Sequence, residues 1–429
     1  MNILIFGGHG KMGRAVAWDL VRRDDVVRVG LAARRMDALE EARAWLKSPK
    51  VTLHVVDVDN RDAVQALMRE YDVGVNALPD RHGSYLTIDA AVDIGFSMVD
   101  MLEEYHRRPD AYETEHLVLP PHLHLEEYGE WLHDRAVRSR ATILDGIGFA
   151  PGLSNITVGE GLRKLDAVDH AVARVGGIPS KAAAERHPLR YMITWAFRHV
   201  LREYMIKVNV LKNGRIEEVD ALTDRERFHF DLFGKDEWLE CAITPGMPSF
   251  IFTRPDLKYF AEKTVRWPGH FDAVDALKSC GMLDLEPVTV DGKQVAPREV
   301  LLASIEPRLR ALPGDTDVCV MYNTVVGVKN GVRMKISYFM WDEADAEAGI
   351  SSMGRVTGFP AAIGAVMIGK GMITERGLVP PEDCVYGDNY RWFMSELERH
   401  RIRIAEVVEP VAVAGPEVEH AAPVGVHLR

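Results

Sequence analysis

A glycine-rich stretch near the start of this sequence constrains the fold more than any other feature. The residues GGHGKMG follow the apolar segment NILIF and precede an amphipathic segment, RAVAWDLVRR. Gly8, Gly10 and Gly13 have the spacing G-x-G-x-x-G, which permits a tight turn, close approach of backbone to a pyrophosphate, and close packing of a helix on a strand. The stretch predicts a dinucleotide-binding α/β unit, in which Lys11 and Met12 at the helix N-terminus also contact the cofactor.

The alternation of strand-like and helix-like segments continues to residue 150. Short links between such segments favour a doubly wound parallel sheet of the Rossmann type, with ligands at the carboxyl ends of its strands. Asn60 is a predicted helix cap. We predict strands at 2–6, 26–33, 51–59, 72–79, 96–101 and 141–146, and later helices at 62–71, 84–95 and 126–138.

After residue 150 the pattern changes to alternating strands joined by turn signals. Asn213-Gly214 and Asn330-Gly331 are typical of β-hairpin turns. These segments predict an α+β domain with a mixed, largely antiparallel sheet. Since an antiparallel sheet can leave one face open for a subunit contact, we expect a homodimer.

Composition excludes several classes of protein. The chain has 429 residues and a net charge of −12, which argues against a nucleic-acid partner. Its four cysteines are far apart, without a CxxC pair, as expected in a reducing compartment. No signal peptide is evident, and no apolar run approaches the roughly 20 residues of a membrane helix. We therefore expect a cytoplasmic protein with no membrane partner.

The end of the second predicted strand indicates which nucleotide is bound. An acid that binds the ribose 2′-hydroxyl of NAD is expected ~20 residues after the glycine motif. The sequence has Arg34 and Arg35 there, and guanidinium groups favour a 2′-phosphate. We predict NADP, with NAD as the alternative if both arginines are only solvated surface charges. The other predicted cofactor-binding residues lie at the carboxyl ends of the third and fourth predicted strands: Asp57, Val58, Ala77, Leu78 and Pro79.

Five further segments carry a resemblance to a known family. They are GIGFAPGLSN, GGIPS, PLRYMITWAFRHVLREY, KTVRWPGH and RVTGFPAAIGAVMIGKGMI, in that order after the glycine motif. The sequence resembles the saccharopine dehydrogenase-like family, which includes saccharopine reductases, lysine 6-dehydrogenases and carboxynorspermidine dehydrogenases. The resemblance implies pyridine-nucleotide chemistry at a C–N bond. It also implies that 352–400 complete the nucleotide-binding domain of 1–150, leaving 151–351 as a substrate and dimerisation domain and 401–429 as a tail.

Oxidation of an amine requires a base, because the amine must be neutral before hydride leaves. Histidine titrates near pH 7, and His270 in the segment WPGH is the first candidate. Asp100 and Asp145, at predicted strand ends, are the second candidates, as bases or as partners of a substrate ammonium. The alternative for all three is a structural role, for His270 as a partner of backbone carbonyls.

A substrate carboxylate requires cationic or backbone donors. Arg190 and Arg266 are candidate clamps, with a surface position as the alternative. Ser154 and Asn155 begin a predicted helix and either face the substrate or form a turn between domains. Tyr191 is also a candidate, although the aromatic run it begins is more typical of a core. We expect no metal, because His122 and His124 lack a third ligand with convincing spacing, and we interpret 103–124 as a surface loop or lid.

Three functions fit these features. The first is an NADP-dependent dehydrogenase of an amino-acid or opine-type substrate, acting through hydride transfer with imine formation and hydrolysis. The second is a lysine 6-dehydrogenase or a carboxynorspermidine-type polyamine dehydrogenase. The third is a non-catalytic NADP-binding sensor.

Overall fold

A computed structural model describes residues 1–110, 117 and 119–411 of the chain. Two compact units are present. The first comprises Met1–Glu160, Gly246–Arg254 and Ala344–Arg403, and the second comprises Gly161–Pro245, Pro255–Glu343 and the stretch that starts at Ile404. Within the described residues, no helix is both long and apolar enough to span a bilayer.

The strands are numbered in chain order. They are β1 (Asn2–Phe6), β2 (Arg28–Ala33), β3 (Val51–Val55), β4 (Val73–Asn76), β5 (Met98–Asp100), β6 (Thr142–Leu144), β7 (Ala167–Pro179), β8 (Lys207–Lys212), β9 (Arg215–Asp220), β10 (Glu226–Phe230), β11 (Glu237–Ile243), β12 (Tyr259–Arg266), β13 (Val288–Val290), β14 (Lys293–Val295), β15 (Asp317–Lys329), β16 (Val332–Glu343), β17 (Gly377–Val379) and β18 (Ile404–Pro410).

The helices are numbered likewise. They are α1 (Lys11–Leu20), α2 (Met36–Leu46), α3 (Arg61–Met68), α4 (Arg81–Ile94), α5 (Leu125–Ser139), α6 (Leu153–Arg163), α7 (Lys181–Ala184), α8 (Phe197–Glu203), α9 (Phe250–Thr253), α10 (His270–Ser279), α11 (Pro297–Leu309), α12 (Ser352–Gly369), α13 (Pro381–Cys384) and α14 (Asp388–Arg399), with a 3-10 turn at Pro188–Arg190.

The first unit is built on a parallel sheet of seven strands in the order β17-β6-β5-β4-β1-β2-β3. β1 pairs with β2 on one side and with β4 on the other, so the strand order reverses at β1. Ligands of such sheets bind in the crevice beyond the carboxyl ends of the strands at this reversal. The sheet therefore places the nucleotide site where β1, β2 and β4 end.

The predicted Rossmann-type architecture is confirmed. The strand NILIF has the bounds that we predict, and the other five predicted strands and the predicted helices are present with somewhat different ends. Asn60 caps α3, because its side chain accepts a hydrogen bond from the Ala63 amide at 3.1 Å. The seventh strand, β17, comes from the distant C-terminal part of the chain and pairs with β6. Its pairing partner is not evident from local sequence.

Helix α12 packs closely on α1, the helix that follows the glycine motif. A Cβ added at Gly358 would lie 2.7 Å from the Cβ of Ala15, so the two helices approach through small residues. Trp18 and Phe359 stack with ring centroids 5.6 Å apart. Since α1 presents its N-terminus to the nucleotide site, α12 fixes the helix that forms one wall of that site.

The second unit contains a nine-stranded mixed sheet. Its main path is β10-β11-β12-β7-β15-β16-β18, with β8 and β9 attached to β12. Only the β12–β7 pair is parallel, which confirms the predicted largely antiparallel sheet. Both predicted hairpin turns are present, with positive φ at Asn213 and Gly214 and again at Asn330 and Gly331, as two-residue hairpin loops require.

The first residues of the predicted C-terminal tail form a strand of the second unit. β18 pairs antiparallel with β16, so the sheet of the second unit includes residues that we assigned to a surface arm. The apolar alternation IAEVVEP supplies side chains for one sheet face, a pattern too short to distinguish from a loop. Residues 412–429 lie outside the described part of the chain.

Candidate functional site

The glycine turn has the close contacts that its motif predicts. A Cβ at Gly13 would lie 2.4 Å from the Gly7 carbonyl oxygen, and one at Gly8 would lie 2.8 Å from the Leu31 Cδ2. Gly7, which precedes the motif, has φ of 73° and makes the tight turn. Gly10 is the N-cap of α1 and supplies no side-chain cap, so the first N–H groups of the helix are left for a ligand.

Arg34 and Arg35 lie exposed at the end of β2, where α2 begins. Arg35 forms an ion pair with Asp37 at 2.5 Å. Arg34 has no partner among the residues that the structure describes. Because Arg35 caps the N-terminus of α2 without a side-chain bond to it, a cationic surface adjoins the free N–H groups of a helix. This is an arrangement that suits a phosphate.

The loops after β3 and β4 complete this edge of the sheet. Asp57 contributes to a shallow depression formed with Asp59, Asn60, Arg61 and Asp62, and Val58 follows it in the same turn. The Ala77 amide donates to the Phe6 carbonyl at 3.0 Å, which brings the stretch Ala77, Leu78 and Pro79 beside the glycine turn. The predicted cofactor-binding residues therefore lie along one edge of one sheet.

Asp100 and Asp145 are fully buried, and their carboxylates bind buried polar side chains instead of facing solvent. Asp145 Oδ1 lies 2.6 Å from His106 Nδ1, and His106 Nε2 lies 2.8 Å from Ser84 Oγ. Ser84 Oγ donates to Asp100 Oδ2 at 2.7 Å, and Asn76 Nδ2 donates to the same oxygen at 2.6 Å. These five residues form a continuous chain of hydrogen bonds, which we call the His106 relay.

The relay assigns the proton positions on His106. Ser84 gives its single hydrogen to Asp100, so the Nε2 of His106 must donate to Ser84, while Nδ1 donates to the Asp145 carboxylate. Burial by itself would lower the pKa of His106, but the charges of Asp145 and Asp100 and the hydrogen bond to Asp145 raise it to about 9. His106 is an imidazolium at neutral pH. Burial raises the pKa of the Asp145 carboxyl, while His106 opposes that rise.

These contacts favour the structural alternative for Asp100 and Asp145, and their role as base or as partner of a substrate ammonium stays a prediction. Both carboxylates accept hydrogen bonds from buried partners, and neither is exposed to solvent. Ligand atoms of Asp100, His106 and Asp145 lie within 4.8 Å of one another, as in a metal site. These atoms are joined by the hydrogen bonds of the His106 relay.

The stretch 103–124 is only partly the loop or lid that we predict. Glu104, Tyr105 and His106 are buried. Glu104 accepts from Arg81 at 2.8 Å and from Tyr85 at 3.1 Å. Residues 111–116 and 118 lie outside the described chain. His106, Ser84 and Asn76 are absent from our predicted site, since no local periodicity marks a polar residue for burial.

Ser154 and Asn155 are buried near the start of α6, which begins at Leu153. Asn155 Nδ2 donates to Glu382 Oε2 at 2.9 Å, and Asn155 Oδ1 accepts from the Gly152 amide at 3.0 Å. Ser249 and Thr253 bind the other oxygen of Glu382 at 2.7 and 2.8 Å. Asn155 thus ties three segments of the first unit together, and its role toward a substrate stays a prediction.

The remaining candidates belong to the second unit. His270 Nδ1 lies 2.8 Å from the Leu189 carbonyl, and its Nε2 lies 3.0 Å from the Tyr204 hydroxyl. Burial and the charge of Arg266 lower the pKa of His270 to about 3. Both ring nitrogens are engaged and the ring is buried, which favours the structural alternative, and the role of His270 as the base stays a prediction.

Arg266 and Arg190 have opposite surroundings. Arg190 is exposed, donates to the Pro268 carbonyl at 3.0 Å and has φ of 50°, next to Leu189 with φ of 57°. Arg266 is 3% exposed, donates from Nε to Tyr204 at 2.9 Å and from Nη1 to the Val265 carbonyl, and lies 5.5 Å from the Tyr191 ring. Among the described residues, Nη2 of Arg266 has no hydrogen-bond partner and no carboxylate lies within ion-pair distance.

Comparison with known proteins agrees with these two units. Residues 3–131 match the family model of the saccharopine dehydrogenase NADP binding domain, and residues 148–402 match that of the saccharopine dehydrogenase C-terminal domain. The chain belongs to the saccharopine dehydrogenase family. It is an NADP-binding oxidoreductase, so the predictions of an enzyme and of NADP are confirmed.

Individual relatives are distant. A carboxyaminopropylagmatine dehydrogenase of Synechocystis sp. is 23% identical over 88% of this chain and 91% of its own length. An NADP-dependent, L-glutamate-forming saccharopine dehydrogenase of Pyricularia oryzae is 20% identical over 90% of this chain and 95% of its own. The solved structure of apo saccharopine dehydrogenase from Saccharomyces cerevisiae has a TM-score of 0.75 at 19% identity, covering 96% of this chain and all of that one. That similarity shows the shared fold.

Proposed function

We propose that this protein catalyses reversible, NADP-dependent oxidation of the C–N bond of a secondary amine derived from an amino acid. The relatives named above act on saccharopine and carboxyaminopropylagmatine, which supports this class of substrate. The chemistry consists of hydride transfer between the C–N carbon and the nicotinamide, followed by hydrolysis of the imine. The cofactor supplies the hydride step, and the chain supplies binding, orientation and control of charge.

The observation that most supports an amino-acid substrate is the unpaired charge of Arg266. A buried guanidinium normally has an anionic partner, because removing a charge from water without one is costly. Nη2 of Arg266 has no hydrogen bond and no carboxylate lies within ion-pair distance among the described residues, while the charge of Glu203 acts on it from farther away, so Arg266 suits the carboxylate of a ligand. Tyr191 forms the aromatic wall beside it. We retain both residues as substrate-binding candidates, and Arg190 as an exposed one.

An assay of the near-ultraviolet absorbance of NADPH tests the reaction. We expect NADP reduction with saccharopine or carboxyaminopropylagmatine and NADPH oxidation in the reverse direction, but no reaction with primary alcohols. Arg266→Lys should raise KM at least tenfold for the preferred amine while leaving the Kd of NADPH unchanged. The matched control is Arg310→Lys, an exposed arginine of the same unit. Turnover of neither amine, or an unchanged KM in the Arg266 variant, would contradict the proposal.

The two substrate types remain distinguishable by experiment. Greater turnover of carboxyaminopropylagmatine would place this chain with the polyamine-type relatives, and greater turnover of saccharopine with the amino-acid type. The relative with 23% identity belongs to the first type and those with 20% to the second. We propose the polyamine-type amine as the second candidate on that basis.

Arg34 and Arg35 are proposed to bind the 2′-phosphate of NADP. The double variant Arg34→Asp with Arg35→Ala should weaken NADPH binding roughly 100-fold, because two charge-assisted hydrogen bonds are lost. NADH binding should change by less than about threefold. Arg198→Asp, on an exposed arginine of the second unit, is the control. Equal losses for both cofactors would assign the two arginines to the solvated surface.

We propose a homodimer in a cytoplasmic setting. The hairpin of β13 and β14 exposes Val288 and Val290, and apolar side chains that extend into water favour a protein contact. All four cysteines are unpaired, as in a reducing compartment. Light scattering should give twice the chain mass, and Val290→Glu should give the mass of one chain. A single chain mass for the unmodified protein would contradict the dimer.

A further inference from the structure

His9 occupies the glycine turn, yet its side chain is not explained by packing there. It lies between β1 and α1, and its Nδ1 is buried without a hydrogen-bond partner in the described part of the chain. Its backbone carbonyl accepts a hydrogen bond from Arg14 Nε at 2.8 Å, so the position of the loop is fixed independently of the ring. A buried ring nitrogen without a partner is uncommon, so this position suits a hydrogen bond to a bound group.

The turn that holds His9 adjoins the end of β2. The Gly7 amide donates to the Ala32 carbonyl at 2.9 Å, and Gly8 approaches Leu31 closely. Ala32 is two residues before Arg34. The end of β2 is where the substituent at the 2′ position of the adenosine ribose lies in this class of sheet. His9 and the arginine pair therefore border the same part of the cofactor.

Burial and the charged groups around His9 determine the protonation state of its ring in the free protein. Burial, then Arg14 on α1 and Arg35 before α2, lower the pKa of His9, while Asp37 on α2 opposes them. Arg14 is itself paired with Glu41 at 2.8 Å, and Arg35 with Asp37. His9 is consequently neutral at pH 7 until an anion enters its surroundings. A phosphate dianion is an anion of sufficient charge to reverse that balance.

We propose that His9 donates a hydrogen bond from Nδ1 to the 2′-phosphate of NADP and takes up one proton from solvent when that phosphate binds. This inference rests on the 2′-phosphate position proposed above for Arg34 and Arg35. The ring gains a proton, the phosphate keeps its two negative charges, and no covalent bond changes. His9 thereby distinguishes NADP from NAD, which has no group to hold the added proton.

The consequence is a pH dependence specific to NADP. Linkage requires that binding strengthen as pH falls wherever binding takes up a proton. NADP affinity should therefore rise between about pH 8 and pH 6.5, while NAD affinity changes little. Below about pH 6 the 2′-phosphate itself begins to gain a proton, which ends this window.

Isothermal titration calorimetry of the full chain at about pH 7, in two buffers of different ionisation enthalpy, counts the protons directly. We expect uptake of roughly half to one proton with NADPH and none with NADH. His9→Asn should abolish the uptake and weaken NADPH binding roughly tenfold, while the NADH affinity stays within a factor of about two. His9→Lys supplies a permanent cation and should keep the preference for NADPH without proton uptake.

Two controls make the outcomes distinct. His229→Asn removes a histidine of the second unit that pairs with Asp236 and should leave the uptake unchanged. Unchanged uptake in His9→Asn, or equal losses of NADPH and NADH affinity in both His9 variants, would overturn the role of His9. If instead the Arg34 and Arg35 variant weakens both cofactors equally, the phosphate position itself is wrong, whatever the His9 variants show.

Discussion

Two buried histidines, one in each unit, have opposite protonation states. His106 in the first unit lies between Asp145 and, through Ser84, Asp100, and its pKa is raised to about 9. His270 in the second unit lies near Arg266, and its pKa is lowered to about 3. Burial acts in the same direction on both rings. The difference therefore comes from the sign of the neighbouring charges.

Hydrogen-bond directions lead to the same conclusion without reference to charge. Both nitrogens of His106 must donate, since their partners are a carboxylate and a serine oxygen whose hydrogen is already used. The Nδ1 of His270 donates to the Leu189 carbonyl, but its Nε2 accepts from Tyr204, whose oxygen already accepts from Arg266. At His106 the neighbouring carboxylates outweigh burial and keep the ring charged, whereas at His270 burial and the charge of Arg266 act in the same direction and keep the ring neutral.

The largest expected effect comes from removing the carboxylate of the His106 relay. Asp145→Asn leaves a buried imidazolium without its counter-ion, and we expect the free energy of unfolding to fall by about 3–5 kcal/mol. Urea unfolding followed by circular dichroism measures it. The control, Asp236→Asn, removes the partner of the half-exposed His229 and should cost less than about 1 kcal/mol. A loss no greater than that of the control would mean that His106 is neutral.

The second prediction concerns alkaline pH. The folded pKa of His106 lies above the unfolded value of about 6.5, so the folded chain binds more protons between these values. The stabilisation is fully present below about pH 6.5 and is lost as pH rises through about 9, at up to about 1.4 kcal/mol per pH unit. Urea unfolding from about pH 6.5 to about pH 9.5 should show this slope. His106→Gln should flatten it, and an equal slope in that variant would assign the effect to other groups.

The third prediction concerns acid pH, where the sign is reversed. The folded pKa of His270 lies below the unfolded value, so the unfolded chain binds the extra proton. Stability from neutral His270 is complete above about pH 6.5 and is lost as pH falls toward about 3. His270→Asn should reduce the slope of the unfolding free energy against pH in that range by up to about 1.4 kcal/mol per pH unit, which corresponds to one proton. If His270→Asn and His106→Gln change the pH dependence of unfolding in the same pH range, the two histidines do not have opposite protonation states.

Local sequence patterns predict the fold but not the opposite protonation states of His106 and His270. The glycine motif, the strand–helix alternation and the two Asn-Gly turns are local signals, and each predicted element was found. The position of Arg34 and Arg35 at the end of β2 is a local signal as well, and their contact with a 2′-phosphate stays a prediction. The surroundings of His106 and His270 are not local. Asp145 is 39 residues from His106, and Tyr204 is 66 residues from His270, so only the tertiary fold sets the charge of either ring.

The same reason limits the prediction of the base from local sequence. Asp100 and Asp145 were placed correctly at strand ends, but a strand end does not specify whether a carboxylate faces a ligand or a buried partner. His270 follows WPG at a helix start, which suits an exposed histidine as well as a buried one. Asn155 binds the Gly152 amide at the start of α6 and also Glu382, 227 residues away. The residue type predicts a polar side chain at each of these positions, but long-range contacts determine what that side chain binds.

The smallest expected effect tests the cause of the contrast directly. Arg266→Gln removes the positive charge that contributes to the lowered pKa of His270, while burial of the ring remains. We expect the pKa of His270 to rise by no more than about one unit, since burial is the larger cause, and that of His106 to stay unchanged. Nuclear magnetic resonance of the imidazole protons against pH measures both rings in one sample. An unchanged His270 in Arg266→Gln would show that burial alone holds it neutral, and the sign of neighbouring charge would then explain only His106.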